Sequence, residues 1–380
     1  MKRGFLGLVL GLVLGWAWAG QNPESSRASD RAVPVHYADQ FEYAWRLVED
    51  YYWDKSYHGV DWVAVGERYR ARLPEVRNWR ELDRLLEEMY SELRDDHSTY
   101  LSPDEASLFL SGAQCLSLPY PEAWERPSGR GSSPAPEGAS ERGDPAPAPL
   151  SEEPQETGFA APQVSLHGGA VIVRLSNLIN PEAFSTLAWA IRQYEAKSFR
   201  KGSVKGYILD LRGNPGGLAL RMAEVAGLFF RGIPWRIVSR NLGTVPQPTQ
   251  PAFGRANTQK PLVVLIDGRV NSAAEGLAGA LKDAGRAFVI GERTAGNTEI
   301  LIPYCFPDGA IAMVASGVLA PFRGATWEGR GVEPDLPVQG AEAQLEAALR
   351  YLDDPKAQPR DLARWVEEAR AGRRFQVGQR

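Results

Sequence analysis

In the second half of this chain, short apolar runs alternate with segments of helical period, and that alternation restricts the fold more than any other feature. "GYILD", "LVVLID" and "RAFVIGE" have the length and composition of buried strands. After the first two come "LALRMAEVAGLFF" and "SAAEGLAGALKDAG", which read as helices, the second closed by Gly285. Strands that alternate with helices imply βαβ units around a largely parallel sheet. Upstream, "QVSLHGGAVIVRLSNL" reads as paired strands and "PEAFSTLAWAIRQYEA" as a helix with Pro in its first turn. Two amphipathic helices, "AEAQLEAALRYL" and "LARWVEEAR", close the sequence.

The first third differs. "FEYAWRLVEDYYW" places Phe41, Trp45, Val48 and Tyr52 at three- and four-residue steps, and "WRELDRLLEEMYSEL" repeats the period. A helical domain over 38–110 follows, its aromatics read as core, and it ends in the turn-rich "RDDHSTYLSP". Residues 119–163 hold ten of the 28 prolines and almost no aliphatic residues. Such a segment buries too little apolar surface to offset its ordering entropy, so it reads as a linker or disordered insertion. At the N-terminus, Lys2 and Arg3 precede the apolar "GFLGLVLGLVLGW" and the small-x-small triplet Ala17-Trp18-Ala19. That is the pattern of a signal peptide over 1–19, too short for a membrane span, and it predicts a periplasmic or extracellular protein.

A net charge of −4 and a pI near 5.8 leave no basic footprint for nucleic acid. Lys accounts for only eight of the 43 basic residues, which limits the candidates for a lysine base. The histidines (His36, His58, His97, His167) show no zinc-ligand spacing. Cys115 and Cys305 are open to two readings, a disulfide closing a very long loop or two separate thiols.

Chemistry concentrates in two places. "DLRGNPGG" (Asp210 to Gly217) follows a buried strand, where α/β sheets place their sites. Pro215 fixes φ there, and Gly216 and Gly217 let the backbone turn and present N–H groups. The same octapeptide also serves as a plain strand-to-helix turn. In "NSAAEG", Ser272 and Glu275 fit a capping box. Equally, a serine at a helix N-terminus has its hydroxyl in a field that stabilises negative charge, with the Ala273 N–H beside it.

Taken together, "YILDLRGNPGG", "VNSAAEGLAGALKDAGRAFVIGERTAGN", "WEGRGVEPD" and "ELRDDHSTYLSP" resemble the signature segments of the C-terminal processing (tail-specific) serine peptidases. By motif they are closer to the tricorn-like and interphotoreceptor-retinoid-binding-protein-like branch. The resemblance implies a crotonase-like α/β core over 164–350, a helical tail over 351–380, peptidase activity and no cofactor. It puts Ser272 at the nucleophile position and Ala273 with Gly216 or Gly217 at the oxyanion donors. The processing peptidases use a lysine 25 residues after the serine, and here that position is Asn297, the last letter of "GERTAGN". Lys282 is no substitute, about 15 Å along the helix from the serine. Tricorn-like relatives use histidine oriented by glutamate, and His97 and Glu328 occupy those positions. His97 is also readable as a helix cap or a carboxylate partner, and Glu328 as a surface partner of Arg330 or Arg323. The family's PDZ domain is expected to be absent, its slot taken by 119–163.

The expectation is therefore an exported serine endopeptidase acting on protein or peptide substrates, with Ser272, His97 and Glu328 catalytic. It is expected to bind no nucleic acid and to keep no stable membrane anchor. The alternative is an inactive family member that binds peptides, in which Ser272 is only a helix cap.

Overall fold

The computed structural model describes residues 37–95, 97–109, 160–196, 204–250, 258–356 and 359–377. The expected signal peptide, most of the Pro-rich segment and Cys115 lie outside them. Helices α1 (Tyr37–Tyr51), α2 (Trp62–Arg70) and α3 (Trp79–Ser91) come first, then β1 (Thr99–Leu101) and α4 (Pro103–Phe109). Strands β2 (Gln163–His167) and β3 (Ala170–Arg174) form the expected hairpin, followed by α5 (Glu182–Glu195), β4 (Gly206–Asp210) and α6 (Ala219–Gly227). A second hairpin, β5 (Trp235–Ser239) and β6 (Gly243–Gln247), precedes β7 (Leu262–Ile266), α7 (Ala273–Asp283) and β8 (Phe288–Gly291). Strands β9 (Glu299–Cys305), β10 (Ile311–Pro321) and β11 (Leu336–Pro337) then lead to α8 (Ala341–Asp353) and α9 (Pro359–Val377).

One sheet has the order β11-β8-β7-β4-β3-β2, parallel except for β2 at its edge. Its strands are apolar on both faces because helices cover both. On β7, Leu262, Val264 and Ile266 join the core built with α5, α6 and α7, while Val263 and Leu265 face α8 and α9. This period of two is the pleat itself. Each fully buried Val or Leu removes enough apolar surface to stabilise the fold by about 1.5–3 kcal/mol.

The second sheet, β1-β10-β5-β6 with β9 also on β10, is antiparallel. The helical region packs on it. Phe41, Leu47 and Val48 of α1 and Leu82, Leu86 and Met89 of α3 share one cluster with Tyr304 of β9 and Ile311 and Met313 of β10. Their three- and four-residue spacing puts them on one face of each helix. Just past α1, Trp53 N–H donates to Ala315 O at 2.9 Å. The helices therefore close over β9 and β10 within one shared core.

Cys305, at the end of β9, is disulfide-bonded, and Cys115 is the only other cysteine in the sequence.

Candidate active site

Ser272 starts α7 at φ 54°, ψ −126°, a conformation that costs a non-glycine residue about 1–3 kcal/mol. The surrounding bonds hold it there: Ser272 N–H donates to Asn297 O at 2.9 Å and to Glu275 Oε2 at 3.0 Å. The predicted capping box is present: Glu275 returns to the Ser272 N–H, and the Ser272 side chain meets the Glu275 N–H, which also donates to the Ser272 carbonyl at 2.9 Å.

The "GNPGG" turn lies against this serine. A methyl group on Gly216, at φ 100°, would fall 2.8 Å from Ser272 Cβ and 3.1 Å from the Ala273 nitrogen, so only glycine fits. The Gly216 N–H is engaged by Asn214 Oδ1 at 2.8 Å. The N–H groups of Gly217 and Ala273 take no hydrogen bond among the described residues. Gly217 is held by its neighbours, since Leu178 N–H donates to Gly216 O at 2.7 Å and Leu218 N–H to Leu178 O at 3.1 Å.

Glu275 is fully buried and ties the loop of "GERTAGN" to the helix. Its carboxylate accepts from Thr294 Oγ1 (2.5 Å), Gly296 N (2.7 Å), Asn297 N (2.9 Å) and Ser272 N (3.0 Å). Burial still raises the carboxyl above its ordinary value, against those four donors. Lys282 points elsewhere, with its ammonium on Glu333 O at 2.5 Å and Asp335 at 3.3 Å.

Past Asn297 the chain reaches the remaining candidates in two steps. The Thr298 hydroxyl donates to Glu328 Oε2 at 3.1 Å, and the Thr298 N–H donates to the same oxygen. Glu299 Oε2 lies 3.4 Å from His97 Nδ1. Three consecutive residues thus touch Ser272, Glu328 and His97 in turn. No hydrogen bond joins the Ser272 hydroxyl to His97 among the described residues.

His97 is held from the chain side by Asp95, whose Oδ1 accepts from the N–H groups of His97 (3.2 Å) and Ser98 (2.6 Å). Ser98 Oγ accepts from Ala315 N–H at 3.0 Å, which fixes the entry into β1. Burial acts to lower the imidazole's affinity for a proton, but Glu299, Asp95 and Glu328 around it hold it above the ordinary histidine value. Burial pushes Glu328 up to about 7, with the Glu299 charge adding to it. The Arg330 guanidinium goes to Thr326 O, so the surface pairing with Glu328 is not formed.

Glu299 is the residue the sequence reading missed. Its one signal was position, two residues past Asn297, which the motif resemblance aligns with a lysine.

Fold and site together define a mixed α/β core with a buried serine at a helix start, covered by a helical region. Residues 178–338 match Peptidase family S41, and residues 34–91 match the Tricorn protease C1 domain. The chain thus carries a Peptidase family S41 domain and a Tricorn protease C1 domain. Carboxyl-terminal-processing peptidase 3, chloroplastic, of Arabidopsis thaliana is 40% identical over 118 residues, which is 31% of this chain and 23% of the relative. The carboxyl-terminal-processing protease of Synechocystis sp. is 36% identical over 196 residues, 47% of this chain and 43% of the relative. The matched stretches thus span less than half of either relative's length. In fold, the photosystem II D1 C-terminal processing protease superposes with a TM-score of 0.58 at 22% identity, over 86% of this chain and 99% of that one.

Proposed function

We propose that this protein is an exported serine endopeptidase that cleaves peptide bonds through an acyl-enzyme on Ser272, with His97 as general base. The observation that carries this reading is the strained backbone of Ser272, with the Gly217 and Ala273 N–H groups beside it making no hydrogen bond among the described residues. A helix cap needs neither the strain nor a free Gly217 N–H, whereas an acyl-enzyme site uses both.

In the first step, the Ser272 hydroxyl passes its proton to His97 Nε2 while its oxygen bonds to the substrate carbonyl carbon. The Gly217 and Ala273 N–H groups receive the oxyanion, and Gly216 shapes the turn that presents them. The scissile C–N bond then breaks, and His97 returns the proton to the leaving amine. Water, deprotonated by His97, releases the acyl group. Glu328 adds negative charge near the imidazolium. The leader over 1–19 would place the activity outside the cytoplasm, and no helix among the described residues is long and apolar enough to cross a membrane.

A fluorophosphonate probe tests this on the full chain. Wild type is labelled at Ser272, Ser272→Ala is not, and His97→Ala is labelled about 100-fold more slowly or worse. Labelling that survives the serine substitution would sink the proposal. A second reading is favoured by the lack of a Ser272–His97 hydrogen bond: an inactive relative that binds peptides. It requires an unlabelled wild type that nevertheless binds peptides.

A further inference from the structure

We propose that Glu299, rather than Glu328, is the carboxylate that positions His97, and that Trp53 of the helical region holds Glu299 for that task. The inference deepens the reading of His97 as the base and rests on it.

The Glu299 carboxylate is buried, at 2% exposure, and its two oxygens face different neighbours. Glu299 Oε1 is supplied from the helical side: Trp53 Nε1–H donates at 2.6 Å, the Tyr52 hydroxyl lies at 3.4 Å and His58 Nε2 at 3.9 Å. Glu299 Oε2 has no hydrogen-bond partner, and neither has His97 Nδ1, although both are buried. They face each other at 3.4 Å, the long edge of a hydrogen bond. A buried orphan polar atom costs about 1–3 kcal/mol, and a contraction of a few tenths of an ångström relieves two at once. Apo catalytic hydrogen bonds are often long in this way and tighten when substrate is bound.

Glu328 lacks that relationship. Its Oε2 accepts both the N–H and the hydroxyl of Thr298, and no ion pair joins it to His97 among the described residues. Asp95 is engaged with the backbone at its Oδ1, and its buried Oδ2, also without a hydrogen-bond partner, forms no ion pair with His97 among the described residues. With Nδ1–H directed at Glu299, the imidazole presents Nε2 as the proton acceptor, which is the tautomer a serine base requires. His58 sits nearer the far oxygen, Oε1, and leaves Oε2 to face His97 Nδ1.

Two readouts test this on the full chain with Glu299→Gln, Glu328→Gln and Trp53→Phe, each first checked for a native unfolding transition. The first is imidazole NMR of histidine-labelled protein across pH, with the His97 signal assigned among the four histidines by its loss in His97→Ala. Glu299→Gln is expected to move the His97 titration down by about one pH unit or more, and Glu328→Gln to move it less. The second is the fluorophosphonate rate, expected to fall at least about 100-fold in Glu299→Gln. It is expected to fall by a smaller factor in Trp53→Phe, which keeps the carboxylate and removes only its donor. An unmoved His97 titration in Glu299→Gln, or a larger loss in Glu328→Gln on both readouts, overturns the inference. Should Glu299→Gln not fold, Trp53→Phe decides: a lowered rate and a shifted titration support the proposal, and wild-type values for both refute it. An unlabelled wild type would strike the peptidase reading instead, and the NMR titration would still decide whether Glu299 positions His97.

Discussion

Ser272 and Asn297 are joined backbone to backbone, the serine N–H donating to the asparagine carbonyl at 2.9 Å. Asn297, the position that the motif resemblance aligns with a lysine base, is thus already in contact with the proposed nucleophile. On that alignment what differs is the amine, and the loop still reaches the serine. The same loop then delivers Thr298 to Glu328 and Glu299 toward His97.

Restoring the amine is therefore expected to restore a base. In a His97→Ala background, Asn297→Lys should raise fluorophosphonate labelling of Ser272 at least tenfold, since a positioned general base contributes about 10²–10⁴. Equal rates in the single and double variants would mean that the side chain at 297 points away from the hydroxyl.

The Glu275 carboxylate is the anchor of that loop. Glu275→Ala leaves three donors without an acceptor, Thr294 Oγ1 and the N–H groups of Gly296 and Asn297, while the Ser272 N–H keeps Asn297 O. The expected cost is about 3 kcal/mol or more in urea unfolding. A loss below about 1 kcal/mol would show that water replaces the carboxylate at little cost.

Stability should fall as pH rises from 5 to 8. Both Glu328, at about 7, and His97, above its ordinary value, bind protons more tightly when folded than unfolded. Each contribution is complete below the unfolded value and is lost as pH rises through the folded one. Glu328→Gln should flatten this slope in thermal unfolding, and a slope equal to wild type contradicts the assignment. Labelling has the opposite trend. It requires neutral His97, so its acid limb should lie above about pH 6.5.

Gly279 gives Trp327 its seat, and through Trp327 it places Glu328. A methyl group at Gly279 would meet the indole at 2.4 Å and 2.6 Å. Gly279→Ala is expected to cost about 1–3 kcal/mol in unfolding free energy and to change the tryptophan fluorescence. A variant with wild-type stability and emission would place Trp327 elsewhere in solution.

The parallel sheet was legible because β4, β7 and β8 are short apolar runs bounded by glycine turns and helices, each a local signal. Ser272, with Gly216 and Gly217, was legible for the same reason, as chemistry at strand ends. The antiparallel sheet was not. β10 is buried along all of Ile311–Pro321 and so shows no alternation, and its pairing with β1 joins segments far apart in sequence. Glu299 fell in that blind spot. Nothing local to "NTEIL" tells that Trp53 and His97 converge on one carboxylate there; that is a product of the helical region closing over β9.

That closure has a consequence for the newly made chain. His97 belongs to the early part of the sequence, while Ser272, Glu299 and Glu328 belong to the late part. His97 and Glu299 come together where α1 to α3 pack on β9 and β10. A partly synthesised or partly folded polypeptide therefore holds the histidine without its carboxylate. On the proposed reading the topology works as a built-in safety catch: the site stays incomplete until the chain has finished assembling itself.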